Sequence, residues 1–245
     1  GRKMKYKKII LGVALALACF SSLNANALTE TKVKKTETQT AAPNVYWTDG
    51  YGRVSYTTNS IISPVVKIAL KEFAGDMKAV TGFDAKEKSG APIQIYQLDQ
   101  LTNKEFSAVE KLGAPLHLII TAKDAFYIGT RKGKLIVIGS NARGTAYAIM
   151  KLSELAGVSP LAAWNDLQPA QRKSLYTPVD QQWIEVPRIE FRGLALNNSQ
   201  WMKPQNYSRI ARLMLRLRAN TLWQVDGRHE AAYNLSLIHI SEPTR

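Results

Sequence analysis

Three stretches of this 245-residue chain carry residue types at spacings that could do chemistry. The first is LIVIGSNARGTAYAIM, residues 135–150, where four residues separate Gly139 from Gly144, as in a phosphate-binding loop. That loop needs a lysine and a hydroxyl residue next, and Thr145 and Ala146 stand there instead. A dinucleotide fingerprint needs a glycine two residues after Gly139, where Asn141 stands. The stretch is therefore expected to serve structure rather than nucleotide binding. The other two are NNSQW, residues 197–201, and DGRHE, residues 226–230. Amides such as Asn197 both donate to and accept from hydroxyls, and an indole such as Trp201 stacks on a sugar face. Asp226 brings a carboxylate, and Arg228 can pair with a ligand carboxylate in bidentate fashion. Each residue type also has a structural use: a turn for Asn197, a core or interface position for Trp201, a helix cap for Asp226.

What the chain lacks narrows the chemistry further. Its single cysteine, Cys19, lies in the leader, which leaves no thiol nucleophile, thiolate metal site or disulfide downstream. Outside the tail only His117 and His229 remain, so a zinc centre or a Ser-His-Asp triad is not expected. No metal and no cofactor are expected.

The elements that must position these residues follow from periodicity. NVYWTDGYGRVSY alternates around Asp49-Gly50 and predicts a hairpin. Ser63-Pro64 opens a helix whose apolar residues recur at helical spacing until Gly82. PIQIYQL (92–98) predicts a strand, NKEFSAVEKLG (103–113) a short helix, and LHLIITA (116–122) another strand holding His117 as a paired structural residue. DAFYIGTRKGKLIVIGS predicts a hairpin turning at Lys132-Gly133, followed by a helix over 142–156 stopped by Gly157. Residues 44–160 thus form an α/β layer with one core. Residues 161–187, with Pro169, Pro178 and Pro187, are expected to connect domains. RIEFRGLALN, YSRIARLMLRLRA and NTLWQVD then give strand, helix and strand, a βαβ unit that starts a parallel sheet or barrel over 188–234. Arg209, Arg212 and Arg216 recur on one face of its helix, opposite Ile210, Leu213, Met214 and Leu217, which predicts a solvated outer face.

The ends read differently. Residues 4–27 combine a lysine-rich start, an apolar run from Ile9 to Phe20 and Ala25-Asn26-Ala27, the pattern of a secretory signal peptide. That run is too short to span a bilayer, so no membrane span is expected. Leu17-Ala18-Cys19 offers the alternative of a lipid anchor at Cys19. The protein is therefore expected to be periplasmic or secreted, with lipid attachment to the outer membrane as the alternative. Residues 28–43 form a polar linker. The tail LSLIHISEPTR, residues 235–245, resembles the peptide of a translated sequencing adapter, which would make the chain an amino-terminal fragment. The formal net charge is +14, and residues 188–228 alone hold seven arginines against Glu190 and Asp226. Secretion argues against a nucleic-acid partner and leaves an acidic polysaccharide open.

Two passages, NARGTAYAIMKLSELAGVSPLAAWNDLQP and PRIEFRGLALNNSQW with the later YSRIARLMLRLRANTLW, resemble family 115 glycoside hydrolases, the xylan α-1,2-glucuronidases. The resemblance covers roughly 135–234. It implies a mixed α/β domain followed by the truncated start of a (β/α)8 barrel, with a polysaccharide or oligosaccharide as substrate. It also makes the Gly139–Gly144 turn a strand-to-helix link. Ligands of a barrel bind at the carboxyl ends of its strands, which places Asn197, Trp201, Asp226 and Arg228 at the pocket. The family is expected to invert its substrate with two carboxyl groups about 6.5–9.5 Å apart around a water, from strands beyond this stretch. Asn198 and Ser199 stand where the family has acidic residues, and Gly227 where it has a histidine. These departures imply a different glycan or lost activity, the second alternative being a carbohydrate-binding protein on a glycosidase scaffold.

Overall fold

In the computed structural model, residues 43–49, 51–165, 167–196, 204–224 and 232–234 are described. The centre is a six-stranded sheet in the order β3-β2-β4-β6-β5-β8. Its strands are β2 (Ser55–Thr58), β3 (Lys86–Glu87), β4 (Ile93–Gln97), β5 (Phe126–Arg131), β6 (Lys134–Gly139) and β8 (Gln182–Glu185). β3, β2, β4 and β6 run parallel, while β5 is antiparallel to both β6 and β8. The tight β5–β6 turn needs positive φ at both central residues, and Lys132 (φ 48°) and Gly133 (φ 71°) supply it.

Alternation along the strands divides the apolar residues between two layers. Ile93, Ile95, Leu135, Val137, Phe126 and Ile128 face the larger core. Covering them are α1 (Pro64–Thr81) and α3 (Ala142–Leu155). Pro64 starts α1 at a position whose N–H has no intrahelical partner, and Gly82 ends it in the left-handed region (φ 85°), its N–H bonded to the Lys78 carbonyl. Val65, Ala69, Phe73, Met77 and Val80 form its buried stripe. Phe73 is fully buried, and its truncation to alanine is expected to cost about 3–5 kcal/mol. On the other face Tyr127, Ile136 and Ile138 pack with Val109 of α2 (Asn103–Glu110) and with Ile119.

Three expectations are corrected. Residues 116–122 form no strand: Leu116–Leu118 is a 3-10 turn continued by local bonds such as Ala122 N–H to the Ile119 carbonyl. The free edge of β5 is taken by β8 instead, and His117 is exposed on the turn rather than paired inside a sheet. The hairpin at Asp49 is reduced to its turn. The Asp49 carboxylate accepts from the N–H groups of Tyr51 and Arg53, and one bridge joins Thr48 to Val54. The flanking strands then part, because β1 (Asn44–Tyr46) pairs with β7 (Tyr176–Pro178) and β2 lies parallel to β4. Trp47 fixes that divergence from within the core, donating its indole N–H to Thr177 Oγ1 at 2.8 Å. Residues 161–187, expected as a connection, carry the short helix α4 (Ala162–Asn165) and both β7 and β8, which complete the two sheets of the first layer.

The βαβ unit is present as expected. β9 (Gly193–Leu196) and β10 (Thr221–Gln224) are parallel in register, joined through α5 (Pro204–Arg216), and β11 (Ala232–Asn234) adds antiparallel to β10. Ile210, Met214, Ala219 and Leu222 form its small core. A Cβ on Gly193 would run into the Thr221 carbonyl, so only glycine allows the two strands to approach this closely.

A fourth correction concerns the arginine face of α5, which is solvated only in part: Arg209 and Arg212 are exposed as expected, but Arg216 is not. Arg216 is buried and pairs with Asp76 at 2.8 Å and Glu72 at 3.3 Å, both on α1, while Arg212 reaches Glu72 at 3.1 Å. Arg209 lies over the Trp164 ring. Desolvation works against the Arg216 charge, but hydrogen bonds and charges from Asp76 and Glu72 outweigh it and raise its pKa. Leu215 reaches the larger core beside them. The Arg216 end of this face docks the βαβ unit on α1.

Candidate functional site

The Gly139–Gly144 turn is closed against the protein. A Cβ at Gly139 would strike Thr145, and one at Gly144 would strike the Ala125 carbonyl. Asn141 caps α3, accepting from the Gly144 N–H at 2.8 Å and donating to Asp124 at 3.1 Å. A side-chain amide and a carboxylate thus occupy the place where a phosphate would sit, and the turn is the strand-to-helix link expected of it.

Asp124 gathers four donors from three parts of the chain. Arg143 (2.9 Å) and Asn141 (3.1 Å) approach one carboxylate oxygen from the start of α3. Arg192 and Asn220, each at 3.1 Å, approach the other from just ahead of β9 and β10. Burial alone would raise the Asp124 carboxyl and is its largest single influence. Hydrogen bonds from Arg143 and Asn141, the Arg143 charge and the Arg192 hydrogen bond together hold it below the usual range. Asn220 also accepts from the Arg192 N–H, and Arg192 donates to the Arg218 carbonyl. Tyr147, pushed up to about 12 mainly by burial and then by the Asp124 charge, stays neutral and donates to the Ala219 carbonyl at 3.0 Å. Sequence reasoning missed this network, treating Asp124 only as the start of a hairpin. The available signal was Arg192 and Asn220, each directly preceding a strand.

Location assigns the network a role. Arg192 and Asn220 sit at the amino ends of β9 and β10, and in barrels that end serves stability while ligands bind at the carboxyl ends. Among the described residues Asp124 accepts from four donors, and Arg192 and Asn220 are bonded to Asp124 and to backbone carbonyls, so this buried part of the network is satisfied within the protein. The carboxyl ends lie side by side at Leu196 and Gln224, paired in register. Asn197, Trp201, Asp226 and Arg228 follow them in sequence and lie outside the described residues, as do Asn198, Ser199 and Gly227. The parallel pairing thus brings the two strand ends together. Among the described residues no group of three or more His, Cys, Asp or Glu could hold a metal, and no helix is long and apolar enough to cross a membrane.

No protein-family model matches the chain, and no curated protein matches it by sequence. Among solved structures, a family 115 4-O-methyl-α-glucuronidase with specificity for decorated arabinogalactans superposes with a TM-score of 0.61 and 27% identity. The chain is similar to this family 115 glycoside hydrolase. The match covers 71% of the chain but only 25% of the glucuronidase. A Streptomyces plicatus β-hexosaminidase, a mutant in complex with its GlcNAc product, matches with a TM-score of 0.51 and 12% identity over 75% of this chain and 32% of the enzyme. A second mutant of that enzyme gives 0.50 and 13% over 75% and 31%. At those identities the likeness is one of fold. The chain therefore shares its mixed α/β fold with a part of these glycoside hydrolases, spanning about a quarter to a third of their length.

Proposed function

We propose that this chain is the amino-terminal part of a secreted glycoside hydrolase acting on a plant-type polysaccharide that carries uronic acid. The observation that carries this reading is the likeness, at 27% identity and a TM-score of 0.61, to a 4-O-methyl-α-glucuronidase. The signal-peptide pattern of residues 4–27 supports secretion. Asn197, Trp201, Asp226 and Arg228 line the pocket in this reading, following strand ends that the parallel pairing of β9 and β10 sets side by side. The test is release of glucuronic acid or its methyl ether from glucuronoxylan and from decorated arabinogalactan by the full-length protein. Release from neither substrate removes the reading.

A second reading has its own observation. Asn198, Ser199 and Gly227 replace the acidic residues and the histidine that the family resemblance leads one to expect. A pocket altered in this way suits a carbohydrate-binding protein on a glycosidase scaffold. Calorimetric binding of an acidic oligosaccharide without turnover selects this second reading.

A further inference from the structure

The segment from 172 to 183 builds a cleft that neither the strand ends nor the Asp124 network uses. Its volume is about 310 Å³, within the roughly 300–1,000 Å³ of small-ligand sites. Trp47 forms its buried floor, held by the indole bond to Thr177. Tyr176 and the half-buried Trp183 supply aromatic walls, and Ser174, Gln181 and Arg172 supply polar groups. The aromatic surface extends outward, because Tyr46 and Tyr176 face each other across β1 and β7 with ring centroids 5.8 Å apart, both 54% exposed.

The charges around it are one-sided. No carboxylate lines the cleft, and among the described residues the exposed Arg172 guanidinium has no acidic partner. Arg143, Arg192, Arg212, Arg216 and Arg218 are each paired to an acid, and Arg53, Arg131 and Arg209 lie over aromatic rings. An exposed pair of rings for sugar faces, an amide and a hydroxyl for sugar hydroxyls, and one free guanidinium for a carboxylate describe a single ligand class. We infer that this cleft is a second binding site, taking an oligosaccharide that bears a uronic acid. It shares its ligand class with the proposed function but not its site.

The full-length protein carrying Asn197→Ala and Asp226→Ala tests this, since binding at the strand ends is then weakened and Arg172→Gln on that background identifies the part that belongs to the cleft. The probes are xylotetraose bearing one glucuronic acid, the same molecule with its carboxyl reduced to an alcohol, and plain xylotetraose, titrated calorimetrically. The acidic probe is expected to bind at least tenfold tighter than the reduced one. Arg172→Gln should abolish that preference, and Tyr176→Ala should weaken all three probes. Both side chains are exposed, so the melting temperature should not move. Equal binding of acidic and reduced probes, or an acid preference that survives Arg172→Gln, overturns the inference. Sugar release in the separate assay with no binding here defeats the cleft alone; binding here without sugar release defeats the enzymatic reading alone.

Discussion

The two ends of the β9–β10 pair adjoin the same residue types, and in the proposed function they serve opposite purposes. At the amino ends, Arg192 and Asn220 are saturated by Asp124 and by backbone groups from the same neighbourhood. At the carboxyl ends, Asn197 and Arg228 follow strands that finish side by side, at the face where barrels bind ligands. An arginine and an asparagine read the same in sequence at either end. The difference is which end of a parallel strand they adjoin, and whether a buried acid across the fold answers them.

The largest expected effect is at the amino end. Asp124→Ala leaves Arg143 and Arg192 without their shared acid, and it places alanine at a positive φ of 60°. Loss of one partner from a buried charge cluster costs about 3–5 kcal/mol, and the partial exposure of both arginines puts the expectation near the lower bound. Urea denaturation should read this loss. Oligosaccharide preference should be unchanged, and altered preference at unchanged stability would reverse the assignment of the two ends.

The second attachment is smaller. Arg216→Met deprives Asp76 of its ion pair but leaves Glu72 with Arg212, for an expected loss of about 2 kcal/mol. Proteolysis between 186 and 192 should quicken, and the surviving core should retain β8 because that strand closes the six-stranded sheet. A resistant core ending before Tyr176 would show that β7 and β8 belong to the other side of the junction. The carboxyl end is expected to behave in the reverse manner. Asn197→Ala and Asp226→Ala should each weaken glycan binding or turnover at least tenfold, about 1.4 kcal/mol, with the melting temperature nearly unchanged. A fall in melting temperature with ligand affinity intact would make that residue structural.

Much of this architecture was legible because its signals are local. Ser63-Pro64 and Gly82 bound α1, Lys132-Gly133 turns β5 into β6, and the 3.6-residue period of α5 between two apolar strands gives the βαβ unit. What escaped depends on partners distant in sequence. Whether 116–122 becomes a strand is decided by β8, some sixty residues later, taking the edge of β5. Arg216 on α5 reads as solvated until Glu72 and Asp76 of α1 are set against it. Of the candidate site, the sequence reading correctly anticipated the paired strands that lead into it. Asp124 could not be recognised from its own surroundings, since its four donors come from 141–143, 192 and 220.

The smallest expected effect lies away from both ends and separates a general loss of charge from damage to the junction. Glu105 closes the capping box at the start of α2 and also accepts from the Ser60 N–H. Hydrogen bonds from the Ser60 and Thr102 backbones, with the Thr102 hydroxyl, hold its carboxyl at about 2 against an ordinary 4.5. A folded-state pKa lowered in this way contributes stability that is complete above the ordinary value and is lost as pH falls from about 4.5 through about 2. Glu105→Gln keeps a side chain that can still reach the cap but removes the charge, so it isolates this contribution. Because the group lies at the surface and is open to solvent screening, the expected loss at neutral pH is under about 1 kcal/mol. The gap between wild type and variant, followed by urea denaturation, should close as pH approaches 2, and oligosaccharide binding should be unaffected throughout. A gap that stays constant across that pH range would mean that the hydrogen-bond geometry of Glu105, and not its charge, supports the helix.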